Sequence, residues 1–325
     1  MGHVPDSCPV QVPPEVTAAL RHALAAPQVT LTQLTGGTNG RTYRATHQRR
    51  SWITRVEREP ALSLLRGIDA QARAYAAGVR TPLTIAHGST ATPDGRYVWS
   101  VETLARGRPF ALGSLSTEQV LAAAADLGRQ LRRLHAVTLD AFGDLPPRPY
   151  PVYPSSNAWV ANKARRIPEA IAIAGGRPES VASVAAVYAA LATWYDGPPC
   201  LCKGDCAGDN ILVDARGRTT IIDWEWAQGL DPAADVAYWC AFTPEPQAHE
   251  ALLAAYAPDD PASFRRRVWA HQIVQCIETI HVYNEHRDAF DGEVRTAGIR
   301  ASWQALLGLL TRDAESETST TAARA

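Results

Sequence analysis

Apolar and polar positions change their period along this chain, and the changes mark its elements. Residues 14–25 place Val16, Leu20 and Leu24 at helical spacing and close before Pro27. Residues 29–34 then alternate, as a half-buried strand does. The glycine-rich turn Gly36-Gly37-Thr38-Asn39-Gly40 follows, with further strands over 41–46 and 51–56. Residues 62–77 read as a helix ended by Gly78. A strand around 83–87, a turn at Pro93-Asp94-Gly95 and a strand over 97–101 complete this part. The stretch from Glu102 to Gly107 breaks the pattern and reads as a hinge. Beyond it the period is mostly helical. Residues 116–136 predict an amphipathic helix with Ser116 as N-cap and with Glu118 and Asp126 at polar positions. Further helices are predicted over 159–173, 178–196, 246–256, 261–287 and 293–311. The tail AESETSTTAARA lacks apolar periodicity and predicts disorder.

Length and charge narrow the possibilities. A chain of 325 residues has room for two lobes and a sizeable core. A net charge of −1 argues against a broad nucleic-acid surface. The pattern contains no long apolar run, so neither a membrane span nor a membrane partner is expected. The polar, proline-rich start does not read as a signal peptide, and a cytoplasmic location is expected. The six cysteines, Cys8, Cys200, Cys202, Cys206, Cys240 and Cys276, form no C-x-x-C pair and read as free thiols rather than zinc ligands. Cys206, next to Asp205, is expected to be within reach of thiol reagents.

The densest chemistry lies in KGDCAGDNILVDARGRTTIIDWE, residues 203–225. Ile211 to Val213 and Thr219 to Ile222 read as the strands of a hairpin around Ala215-Arg216-Gly217-Arg218. A tight hairpin brings its ends together, so Asn210 and Asp223 are expected side by side. Two neighbouring oxygen ligands suit Mg2+. Asp205, on the loop before the first strand, is placed to accept a proton from an attacking hydroxyl. Kinases show the same order: an Asp, four residues, an Asn, then a metal-binding Asp. Isolated, either pattern is an ordinary turn or an ordinary hairpin; their coincidence points to phosphoryl transfer.

KGDCAGDN and IIDWEWAQGLDPAADVAYW resemble the catalytic loop and metal segment of the aminoglycoside phosphotransferase family, with its choline, homoserine and fructosamine kinase relatives. LTGGTNGRTYRA, WITRVE, GVRTP, VETLARGRPF and LRRLHAV extend the likeness in family order over about two-thirds of the chain. The resemblance implies an α+β, two-lobed, protein-kinase-like fold. Its small N-terminal lobe is an antiparallel sheet with a helix, over 1–103. A larger, mainly helical lobe spans 104–312, with a tail from 313 to 325. The implied reaction moves the γ-phosphoryl group of ATP or GTP, with Mg2+, to a small hydroxylated acceptor. An aminoglycoside-type antibiotic is the leading expectation, and a sugar, amino alcohol or macrolide the alternative. Only seven residues separate Asp223 from Asp231, too few for the activation loop of a protein kinase. A nucleotide-binding module without turnover is the rival of another class.

The resemblance also assigns roles. Asp205 becomes the base, with Asn210 and Asp223 as metal ligands. Arg55 falls where a basic residue holds the nucleotide phosphates. Alternation leaves its direction open, because both faces of its strand carry apolar residues. Asp69 or Glu59 is expected to pair with it, Gln71 being a departure from a carboxylate. Gly37, Thr38 and Asn39 are expected to offer backbone N–H groups to phosphate. Glu102 and Leu104 are expected to bond the nucleotide base through their backbone. Lys203 stands where the family has histidine, and is read as filling that residue's structural place. Asp209, Glu225 and Glu278 are the candidates for acceptor contacts. Asp235 is expected to brace the loop, and His135 to be a satisfied core histidine.

Overall fold

The computed structural model describes residues 12–322 except 35–40, 112, 148–150, 244, 287–289 and 291, with backbone alone from 312. The first helix, α1 (Pro14–Ala23), buries Val16 and Leu20. β1 (Thr30–Gln33), β2 (Arg41–His47) and β3 (Arg50–Arg58) follow, then α2 (Leu62–Ala76), β4 (Thr84–Thr92) and β5 (Gly95–Thr103). The strands form one antiparallel sheet in the order β1-β2-β3-β5-β4. Period-2 alternation divides its faces. Tyr43, Val56, Tyr97, Trp99 and Val101 pack against Val16 and Leu20. On the opposite face Val98 packs with Leu64 of α2.

β5 runs through Glu102 and Thr103, so the expected hinge begins later than the sequence pattern suggested. Glu102 pairs with Ile53 on β3 and with Thr84 on β4, and sheet pairing carries the strand past its apolar run.

The rest is mostly helical. β6 (Arg108–Pro109) leads to α3 (Thr117–Leu134). Ser116 caps α3 through a reciprocal bond with Gln119. β7 (Phe142–Asp144) and β8 (Val152–Tyr153) precede α4 (Ser156–Ala164), α5 (Ile167–Ile173) and α6 (Pro178–Trp194). The single helix expected over 159–173 is two, because Pro168 starts a new one. β9 (Cys200–Cys202), β10 (Ile211–Val213), β11 (Thr219–Ile221) and β12 (Gln228–Leu230) carry the central loop and hairpin. α7 (Ala233–Phe242), α8 (Pro246–Tyr256), α9 (Pro261–Glu285) and α10 (Gly292–Ala322) close the chain. α10 continues into the tail expected to be disordered, where no Gly or Pro interrupts the sequence.

One core joins α3, β10, β11, α7 and α8; a second joins α4, α5, α6, β9, α9 and α10. At Gly128 a Cβ would come within 2.3 Å of the Leu252 carbonyl oxygen, so α3 and α8 touch backbone to backbone there. Asp126 is buried, not on the solvent face. It accepts from the Thr219 N–H at 2.8 Å, from the Thr219 hydroxyl at 2.9 Å and from Arg80. Those bonds tie α3 to the start of β11. Among the described residues no helix is long and apolar enough to cross a membrane.

Candidate active site

β9 ends at Cys202, and the chain then makes a loop that its own backbone cannot satisfy. Asp235, from α7, supplies the missing acceptors. It takes the Lys203 N–H at 2.7 Å and the Gly204 N–H at 2.9 Å. His135 holds the same carboxylate at 3.2 Å and Tyr256 at 3.0 Å. Gly204 has φ +77, and a Cβ there would sit 2.0 Å from the Trp226 carbonyl oxygen. Only glycine fits that turn and that approach.

Lys203 is fully buried, and its Nζ donates to the Asp205 carbonyl at 2.8 Å. Asp205 is half-buried. Its Oδ2 accepts from Asn210 Nδ2 at 2.8 Å, and its carbonyl from the same nitrogen at 3.1 Å. The Asn210 amide nitrogen is thereby turned toward Asp205. Burial, together with the nearby Asp205 charge, pushes the Tyr238 phenol well up.

The hairpin brings Asn210 beside the far strand, as spacing predicted: Ile222 N–H donates to the Asn210 carbonyl at 3.0 Å. Asp223 follows at φ +61, a left-handed conformation uncommon outside glycine. It meets Arg55 Nη1 at 3.0 Å and keeps its side chain one-third exposed, at 33%. Burial pushes the Asp223 carboxyl up, but the charges of Arg55 and Lys203 outweigh it and hold it below the usual range. An amide and an ionised carboxylate on adjacent backbone form an oxygen donor set that fits a hard divalent cation.

Arg55 points to the α2 face, which settles the direction that alternation left open. Its guanidinium meets Glu225 at 2.7 Å, Asp223 at 3.0 Å and Glu102 at 3.4 Å. Burial pulls its pKa down, yet these three carboxylates raise it above the ordinary value. The expected partners are elsewhere: Asp69 bonds Arg73 at 2.8 Å, and Glu59 lies 3.8 Å from Arg96. Gln71 instead donates to Glu102 at 3.2 Å. The acid therefore comes from β5 and from the segment after the hairpin, not from α2. The sequence signal for Glu102 was its place at the end of an apolar strand; the register opposite β3 had no sequence signal.

The other expected residues divide. Gly37, Thr38 and Asn39 lie outside the described residues. Leu104 is half-buried just past β5. Asp209 is exposed on a 3-10 turn over Gly208–Asn210. Glu225 sits with Arg55, Asp223 and Glu102 under α2, away from the cavity at Asp205. Burial pushes its carboxyl up, against Arg55. Cys206 is wholly buried, and burial pushes its thiol well up, so the expected reach to thiol reagents does not hold. His135, Cys200 and Cys202 place donor atoms within 4.8 Å of one another, with both His135 nitrogens already bonded to Tyr256 and Asp235.

Glu278 alone among the three acceptor candidates lines the cavity at Asp205, which holds about 310 Å3. Asp205, Gly204, Trp226 and Tyr238 form one side, and Trp159, Lys163, Gln275 and Phe290 are among the others. Trp159, Lys163 and Gln275 carried no motif; only the fold collects them.

A family model described as the phosphotransferase enzyme family matches residues 30–267. No curated protein matches the chain. Solved structures share the fold at low identity. A thermostable mutant of aminoglycoside phosphotransferase APH(4)-Ia, in a ternary complex with ADP and hygromycin B, is 20% identical at TM-score 0.59, over 90% of this chain and 98% of that one. APH(2")-IIia with GDP and kanamycin is 15% identical at TM-score 0.64, over 90% and 98%. A candidate fructosamine-3-kinase from Haemophilus somnus 129PT is 12% identical at TM-score 0.62, over 90% and 97%.

Proposed function

This chain belongs to the phosphotransferase enzyme family, and we propose that it moves the γ-phosphoryl group of ATP or GTP to a hydroxyl of a small molecule. The observation that carries this reading is the joint geometry of Asp205, Asn210 and Asp223 around one braced loop. The 1–103 lobe covers the nucleotide and the 104–312 lobe presents the acceptor. Neighbours in complex with ADP or GDP support a nucleotide as donor, and those with hygromycin B or kanamycin support a polyhydroxylated acceptor.

Asp205 orients the acceptor hydroxyl and takes its proton as the oxygen attacks phosphorus. Asn210 holds Asp205 in that direction and keeps its amide oxygen for the metal. Asn210 and Asp223 would hold Mg2+. When bound, it neutralises charge on the phosphates. Arg55, fixed by three carboxylates, contributes a permanent cation next to Asp223. Glu102 and Leu104 flank the nucleotide base. Such chemistry needs cytoplasmic nucleotide pools, and the buried free thiols agree with that location.

The test is titration of Mg-ATP and Mg-GTP into the wild type and Asp223→Ala, alongside nucleotide turnover. We expect the wild type to bind and turn over one nucleotide, and the variant to lose affinity ~tenfold or more, since a charged contact is removed. Unchanged Mg-dependent affinity in the variant contradicts the metal role. Binding by the wild type without turnover identifies a nucleotide-binding module instead.

A further inference from the structure

A polycation entering the cavity at Asp205 has two ways to be held: unpaired carboxylates, or the faces of aromatic rings. The protein's own groups already take up part of both. The carboxylates among the described lining residues are Asp205, Asp235 and Glu278. Asp235 serves the Lys203 and Gly204 amides, at 2.7 and 2.9 Å, and His135 at 3.2 Å. Glu278 is clamped by Lys163 at 2.6 Å and Arg166 at 3.2 Å. Arg166 also reaches Glu285, so two bases and two acids cancel on this wall. Among the described lining carboxylates, Asp205 is left with a single side-chain partner, Asn210 at 2.8 Å, and the proposed reaction uses it.

The aromatic walls repeat the pattern. Lys163 Nζ lies 5.7 Å from the Trp159 ring centroid, and the Arg66 guanidinium 5.9 Å from that of Trp226. What these rings and their neighbours leave toward the cavity is apolar surface, continued by Tyr238, Leu230, Val274 and Val282. Two amide side chains, Gln228 and Gln275, interrupt it. An amide offers both a donor and an acceptor, which matches a hydroxyl and gives no charge to an ammonium. A cavity of about 310 Å3 lies at the small end of ligand sites.

We propose that the acceptor is an uncharged, ring-bearing polyol with an apolar face, and that this cavity selects against polycationic acceptors. The inference rests on the reading of Asp205 as the acceptor end of a phosphotransferase site. It deepens that reading and departs from the leading expectation of an aminoglycoside.

Acceptor binding without nucleotide tests it independently of catalysis. Thermal shift and calorimetry would compare neutral aryl glucosides and cyclitols with kanamycin as the polycationic probe. The expected result is stabilisation by members of the neutral set and none by kanamycin. Gln275→Leu should abolish the neutral shift, which places it in this cavity. Lys163→Met removes one of the two cations on Glu278 and should raise kanamycin affinity by about tenfold, the scale of one charge-assisted contact. Each variant's unliganded melting curve reports whether it folds. Salt-sensitive kanamycin binding by the wild type overturns the proposal, as does a neutral set that gives no shift. Failure of Mg-ATP and Mg-GTP to bind, in a separate titration, would defeat the phosphotransferase reading while leaving the cavity's preference measured.

Discussion

Lys203 shows how one departure from a motif is absorbed. A buried ammonium is costly unless it is bonded. This one donates to the Asp205 carbonyl at 2.8 Å and lies close enough for its charge to lower the Asp223 carboxyl. It ties the loop across Asp205, the structural place the resemblance gave to histidine. Arg55 supplies counter-charge beside Asp223 on its own. Lys203→His is therefore expected to keep most of its transfer activity at both pH 6 and pH 8. The imidazole, with an ordinary pKa of roughly 6.5, is mostly neutral at pH 8. Steady-state kinetics at the two pH values check this. A loss at pH 8 largely recovered at pH 6, with an unchanged melting curve, contradicts it and assigns the charge a role in transfer. At this scale the sequence located Asp205, Asn210 and Asp223 because their spacing is local. It missed the partners of Arg55, because Glu102 and Glu225 reach that residue through strand register and from a distant segment.

Elements were legible where apolar periodicity decided them and illegible where polar residues were buried. The hairpin strands came out at 211–213 and 219–221, close to the reading from turn residues. Asp126 was read as solvent-facing because its type is polar, and residue type cannot announce that Arg80 and Thr219 wait across a contact. That cluster has a pH signature. Burial pushes the Asp126 carboxyl up, but Arg80 and the two Thr219 donors more than offset it, so it titrates below the usual range. A depressed folded value means that its stabilisation is complete above the unfolded value of about 3.9 and is lost as pH falls through the folded one. Asp126→Asn should cost about 1–3 kcal/mol at pH 7, read as a melting temperature lowered by roughly 2–4 °C per kcal/mol. The gap from the wild type should narrow progressively below about pH 4. A gap constant from pH 7 down to pH 3 contradicts the ionised role of Asp126.

Across the whole molecule, the sheet and the helical part are joined by charged side chains as well as by Ala70, Ala74 and Val79, which enter the helical core. Arg55 on β3 reaches Asp223 and Glu225 after the hairpin. Arg66 on α2 donates to the Glu225 carbonyl at 2.6 Å and pairs with Asp144. Gly67 lets α2 approach the same segment, with a Cβ there falling 3.4 Å from the Glu225 nitrogen. The two-part architecture was legible from the switch in period after residue 101. The ionic junction was not, since its partners lie 78 to 170 residues apart. Asp205, read as the group that directs the acceptor hydroxyl toward phosphorus, is the central assignment. The most direct measurement is phosphoryl transfer by Asp205→Asn, scored with nucleotide affinity on the same preparation. The variant should lose transfer by ~100-fold or more while Mg-nucleotide affinity stays within about threefold, because only the reacting step is touched. Transfer near the wild-type rate would contradict the central assignment.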